Sequence, residues 1–91
     1  MISIGIIGDY NPEKVSHPAT DSSIEHAAGF LGIEAGYEWI PTPSLSEKTG
    51  LDKLERFDGL WASSGSPYLS MEGALNGIRF ARENDVPLFG T

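Results

Sequence analysis

The chain has 91 residues, enough for one small domain, and its apolar fraction of 40% is too high for a disordered chain and too low for a membrane protein. Against 13 acidic residues stand only 6 basic ones, for a formal net charge of −7. The bases (Lys14, Lys48, Lys53, Arg56, Arg79 and Arg82) are scattered, so no stripe exists to neutralise phosphates, and neither nucleic acid nor an anionic membrane is expected as a partner.

The first eight residues end in a short apolar run, Ser3-Ile4-Gly5-Ile6-Ile7, stopped by Gly8-Asp9. It reads as a strand buried on both faces. Asn11–Lys14 and His17-Pro18 carry loop chemistry. A helix follows, with Ile24, Ala27, Ala28 and Leu31 on one face, Thr20 or Asp21 as cap, Glu25 in the first turn and Gly32 at the end. Gly29 is an unfavourable helix residue, and close packing against a strand is expected there. Ala35–Ile40 reads as a second strand, stopped by Pro41-Thr42-Pro43. Thr49 is the expected N-cap of a short helix with Leu51, Leu54 and Phe57 on its apolar edge. Gly59–Ala62 is a third strand, and Ser63–Tyr68 is a small-residue loop. From about Ser70 to Glu83 the spacing predicts a helix with Ala74, Leu75, Ile78 and Ala81 on one face. Asn84-Asp85 ends it, and Val86–Gly90 is the fourth strand.

Alternation of strands and helices predicts an α/β fold: a three-layer, doubly wound, flavodoxin-like and mainly parallel sheet. In such sheets the active crevice lies beyond the carboxyl ends of the strands. Asp9-Tyr10, Ser63–Tyr68 and Gly90-Thr91 fall there. The histidines have no metal-ligand spacing, so no metal or cofactor is expected. His17 reads as a loop residue and His26 as the solvent side of its helix. Gly5 and Gly8 do not make the dinucleotide fingerprint. Trp61 reads as core, Tyr68 as either pocket rim or packing, and Arg79, Arg82 and Glu83 as a solvated helix end. Ser63–Ser66, taken alone, is a plain connection or a cradle for a small anion. Cysteine is absent, which excludes disulfides and thiolate metal sites within these residues. No stretch approaches the ~20 apolar residues of a membrane span or the pattern of a signal peptide, so a cytoplasmic location is expected.

Two blocks resemble a known family. The first is Ile4–Tyr10, Ser23–Ala28, Gly32-Ile33 and Trp39-Ile40. The second runs from Phe57-Asp58-Gly59-Leu60-Trp61-Ala62-Ser63-Ser64-Gly65 through Glu72-Gly73 and Ile78–Asn84 to Val86-Pro87-Leu88-Phe89-Gly90. Together they resemble the opening part of a class I glutamine amidotransferase domain of the CTP synthase type. The resemblance implies that residues 1–91 are the N-terminal portion of one larger amidotransferase domain. It also implies glutamine as substrate and hydrolysis to glutamate and ammonia through a cysteine thioester.

In that family the strand matching residues 86–90 leads into Gly-x-Cys-x-Gly. Gly90 and Thr91 would be the first two members, the nucleophile would follow Thr91, and the His and Glu of the triad would lie far downstream. By position, Ser64, Gly65 and Ser66 would supply the oxyanion donor and hold the glutamine; Tyr68 and Tyr10, from their places beside strand ends, are candidates for the pocket rim. Main-chain donors of this kind are worth ~3–4 kcal/mol each. Ser64 stands where the family has glycine and Ser66 where it usually has phenylalanine, which puts the shape of the hole and the accepted substrate in question. Because Met1 begins directly at the first strand, a stand-alone relative is expected, passing ammonia to a synthetase in trans; homo-oligomer formation is left open. Two other readings stand beside it: an inactive regulatory module of the same fold, and an unrelated domain that binds a small anion.

Overall fold

The computed structural model describes residues 2–11, 13–14, 16–63 and 68–90. In chain order the elements are β1 (Ile2–Ile7), α1 (Ser16–Leu31), β2 (Ala35–Ile40), a 3-10 helix (Thr42–Ser46), α2 (Lys48–Asp52), a second 3-10 helix (Lys53–Arg56), β3 (Gly59–Ala62), α3 (Met71–Glu83) and β4 (Leu88–Gly90). The strands form one sheet in the order β2-β1-β3-β4, each neighbouring pair parallel. Chain direction therefore gathers the carboxyl ends of all four strands on one side.

The register sorts the side chains into two faces. Ile6 lies opposite Trp39 and Trp61, and Trp61 lies opposite Phe89, so these four share one face. Ile7, Ile40 and Ala62 make the neighbouring row and point the other way. On the second face Ile7, Ile40, Leu45, Leu54, Phe57, Leu60, Ala74 and Ala81 form the main core. The first face takes α1, through Ile24 and Ala28. Helices thus cover both sides of a parallel sheet, as the alternation of elements predicts. Among the described residues, coverage of the first face stops short of β4: an apolar groove of about 440 Å³ runs between α1 and the rings of Trp61 and Phe89, and Phe89 is 62% exposed.

Several local expectations change. α1 starts at Ser16, upstream of the expected caps. His17 and Pro18 belong to its first turn, where a proline ring is tolerated because the amide there lacks a helical partner anyway. Thr20 instead donates from its hydroxyl to Ser16 O, 2.7 Å away, and Asp21 accepts from Trp39 Nε1 at 2.7 Å. His17 is 1% exposed rather than a loop residue, while His26 is exposed as expected. Gly32 does end the helix, with φ +68° and the Ile33 N–H bonded to Ala28 O. Gly29 packs on nothing: a Cβ there would meet open space.

Pro41-Thr42-Pro43 stops β2 but also begins the first 3-10 helix. Thr49 lies inside α2, whose N-cap is Glu47. α3 has Ser70 as its N-cap, its Oγ accepting from Gly73 N–H at 3.0 Å. The buried face of α3 is Gly73, Ala74, Gly77 and Ala81, and Leu75 is half exposed. The expected stripe was off because two glycines make the contact. A Cβ on Gly77 would lie 2.8 Å from Ile7 Cδ1, and one on Gly73 would overlap the Thr42 carbonyl. Trp61 is half-buried, edge-on to Phe89 at 5.3 Å, rather than core. β4 is shorter than expected, Leu88–Gly90, while Val86 packs against the core.

Candidate active site

The carboxyl ends of β1 and β3 meet at the centre of the sheet, where the connection after β1 runs to one side and the connection after β3 to the other. In open parallel sheets a crevice forms at such a switch point. Beside it Ala62 of β3 pairs with Gly90 of β4, so the turn after β3 and the end of β4 leave the sheet next to one another. Ser64, Gly65, Ser66, Pro67 and Thr91 lie outside the described residues.

The flanks of that turn are held by polar contacts. Ser63 N donates to Ile7 O at 3.0 Å. The Tyr68 hydroxyl donates to Ser63 O at 2.7 Å. The Asp9 carboxylate, just past β1, accepts from Leu69 N at 2.9 Å, from Thr42 N at 2.9 Å and from Thr42 Oγ1 at 2.7 Å. Thr42 Oγ1 in turn accepts from Ser70 N at 2.8 Å. The ends of β1 and β2 and the start of α3 are thereby tied together.

Ser63 is 2% exposed, and its Oγ has no hydrogen-bond partner among the described residues. Gly8 makes room for it, since a Cβ at that position would overlap Ser63 Oγ. Tyr10 and Tyr68 are not brought together. Tyr10 packs edge-on against Trp39 at 5.0 Å and lies 6.0 Å from the His17 ring, on the α1 side. Tyr68 packs against the core on the α3 side. His17 Nδ1 accepts from Asn11 N at 2.9 Å, which orders the segment after β1. Among the described residues no group of His, Asp and Glu could hold a metal ion, and no helix is long and apolar enough to cross a membrane.

Burial, and then the nearby Asp9 carboxylate, raise the Tyr68 phenol above its ordinary value of 10.0. The phenol therefore stays protonated and available as the donor to Ser63 O. A raised folded-state value means that its stabilising contribution is complete below the unfolded value and is lost as pH rises through the folded one. Thermal melts of the parent protein and Tyr68→Phe should show this. The variant loses about 0.5–1.5 kcal/mol near pH 8, and the gap narrows above pH 10 as the parent weakens more than the variant. A gap that stays constant from pH 8 to 11 would contradict the assignment.

Sequence reasoning gave Asp9 a favourable address without a role and Thr42 none beyond ending a strand. Their partners lie 33 and 60 residues from Asp9 along the chain, and no local pattern encodes such a contact.

No family model matches the chain. A CTP synthase from Acidobacterium capsulatum is 36% identical over 89 residues, which is 98% of this chain and 16% of the relative. A CTP synthase from Sulfurisphaera tokodaii is 33% identical over 90 residues, 98% of this chain and 17% of the relative. The chain thus spans about a sixth of the length of these relatives. Among solved structures, the glutaminase domain of a Trypanosoma brucei CTPS with bound acivicin superposes with a TM-score of 0.85 at 19% identity. That match covers 99% of this chain and 36% of the other. In sequence the chain is CTP synthase-like, and its α/β fold, a parallel four-stranded sheet with helices, matches part of the CTPS glutaminase domain.

Proposed function

We propose that residues 1–91 are the N-terminal part of a glutamine-hydrolysing centre. The observation that supports this reading is the pairing of Ala62 with Gly90, which brings the end of β3 beside the end of β4 at the carboxyl edge of a parallel sheet. A thiol carried just past Thr91 would then stand next to an amide held by main-chain N–H groups of Ser64, Gly65 and Ser66. The thiolate attacks the glutamine side-chain carbonyl, the N–H groups stabilise the oxyanion, ammonia leaves, and water releases glutamate from the thioester. Ammonia passes to an amine-accepting synthetase. The 91 residues contain no cysteine, so by themselves they hold and orient substrate but break no bond.

The small-anion reading is weakened by the use already made of nearby donors. The N–H groups of Leu69, Ser70 and Gly73 go to Asp9, Thr42 and Ser70 Oγ, and the Asp9 charge repels a second anion. The inactive-module reading draws on Ser64 in place of glycine, since a side chain there narrows the backbone conformations open to the oxyanion loop.

The deciding experiment is incubation of the protein, isolated from its own cells, with acivicin, followed by peptide mass mapping. The expected result is one adduct on the residue after Thr91, suppressed by excess glutamine. Absence of an adduct, or an adduct elsewhere, would overturn the reading.

A further inference from the structure

We propose that Asp9 is the positioning residue of this site, acting through Thr42 to set how tightly a glutamine-like ligand is held; this rests on the glutaminase reading above. Asp9 touches no reacting atom in that reading. What it touches is the framework that holds Thr42 after β2 and Leu69 ahead of α3.

The argument starts from the acceptor. One carboxylate takes three donors from two distant segments: Thr42 N and Oγ1 beyond β2, and Leu69 N ahead of α3. Among the described residues no Lys, Arg or His nitrogen forms an ion pair with it. Its charge is met by N–H and O–H dipoles, and such charge-assisted bonds are short and directional. Thr42 is fully buried. Because its hydroxyl proton goes to Asp9, its lone pairs face Ser70 N. Asp9 thereby fixes the direction of a second contact that it does not itself make. Ser70 passes the constraint to α3 by capping Gly73 N–H.

The other end of the span is set independently, by Ser63 N on Ile7 O and by the Tyr68 hydroxyl on Ser63 O. Ser63 and Leu69-Ser70 are therefore referred to the same strand, β1, from its last residue and from Asp9 just beyond. A displacement of about 1 Å in a substrate-positioning segment is enough to cost a large factor in productive binding. Release of Leu69 and Ser70 from Asp9 permits such a displacement without unfolding the sheet.

The test uses Asp9→Asn, Thr42→Val and the double variant, with Thr42→Ser as the conservative rescue. Hydrogen exchange should show the Leu69 and Ser70 amides opening about tenfold faster in Asp9→Asn, with the Ile6 and Leu60 amides unchanged. In acivicin inactivation, the half-saturating concentration should rise about tenfold or more in Asp9→Asn and Thr42→Val, while the limiting rate changes less than about threefold. The double variant should be no worse than either single one, because both act on one network. Thr42→Ser should restore parental behaviour.

An unchanged half-saturating concentration alongside faster Leu69 exchange would reduce Asp9 to a structural contact and sink the proposal. Uniform acceleration of every amide would do the same, by tracing the effect to global stability. If the parent protein takes no label at all, the glutaminase reading fails and the positioning role falls with it. Faster Leu69 exchange in Asp9→Asn would then still show that the clamp is real, which separates the two failures.

Discussion

Gly73→Ala is expected to lower stability by about 3 kcal/mol, beyond what its better helix propensity returns. The added methyl would overlap the carbonyl of Thr42, and its other near neighbour is Ser70 Oγ at 3.2 Å. A backbone carbonyl cannot turn aside as a side-chain tip can. Either α3 lifts from the first 3-10 helix or Thr42 moves, and Thr42 also holds Asp9. For a domain of this size each kcal/mol shifts the midpoint by roughly 4–8 °C, so the melting temperature should drop by at least about 12 °C. Gly29→Ala is the control: it is an exposed helix site with nothing near its Cβ position, and there alanine should gain up to about 1 kcal/mol. Far-ultraviolet circular dichroism melts of both variants check the pair. A Gly73→Ala midpoint within 3 °C of the parent would mean that the helix contact is looser than described.

Leu54→Ala should be as costly, about 3–5 kcal/mol. Leu54 is 0% exposed and sits in the core cluster with Ile7, Leu45, Phe57 and Leu60. It rides on a 3-10 helix of four residues, Lys53–Arg56, which is too short to hold its own shape without that anchor. The only ion pair among the described residues near this segment, Arg56 with Glu38 at 3.2 Å, is exposed and contributes little. Total stability for such a chain is about 5–14 kcal/mol, so the loss is a large share of it. Urea unfolding followed by tryptophan fluorescence should show the midpoint falling with little change in slope. A loss under 1 kcal/mol would imply that the site collapses around the missing side chain.

The sequence made some of this legible and hid the rest for identifiable reasons. Strands were readable because a parallel strand is apolar throughout, as Ile4-Gly5-Ile6-Ile7 and Leu60-Trp61-Ala62 are. Ala35–Ile40 was bounded correctly because Pro41 ends it. The start of α1 was missed because a histidine and a proline look like loop residues, yet His17 is buried against Tyr10 and Trp39. The contact face of α3 was misjudged because periodicity counts large apolar residues, whereas here closeness to Thr42 and Ile7 selects glycine. At the candidate site, the resemblance carried by Phe57–Gly65 and Ile78–Gly90 pointed to the carboxyl edge of the sheet, where Ala62 pairs with Gly90. It was silent on Asp9, whose partners come from segments brought near only by folding. Residue type alone also could not show that Tyr10 and Tyr68 would lie on opposite faces.

The half-covered face of the sheet governs how these variants will behave in the tube. Among the described residues the indole of Trp61 and the phenyl of Phe89 line an apolar groove with Leu31 and Ile33, and β4 has a strand partner on its β3 side alone. An oily strip beside an unpaired strand is an invitation to stick. As an isolated stretch, residues 1–91 in weakened form should therefore leave solution before they finish melting. For this chain turbidity is the earlier symptom, and heating rate and protein concentration become part of any comparison.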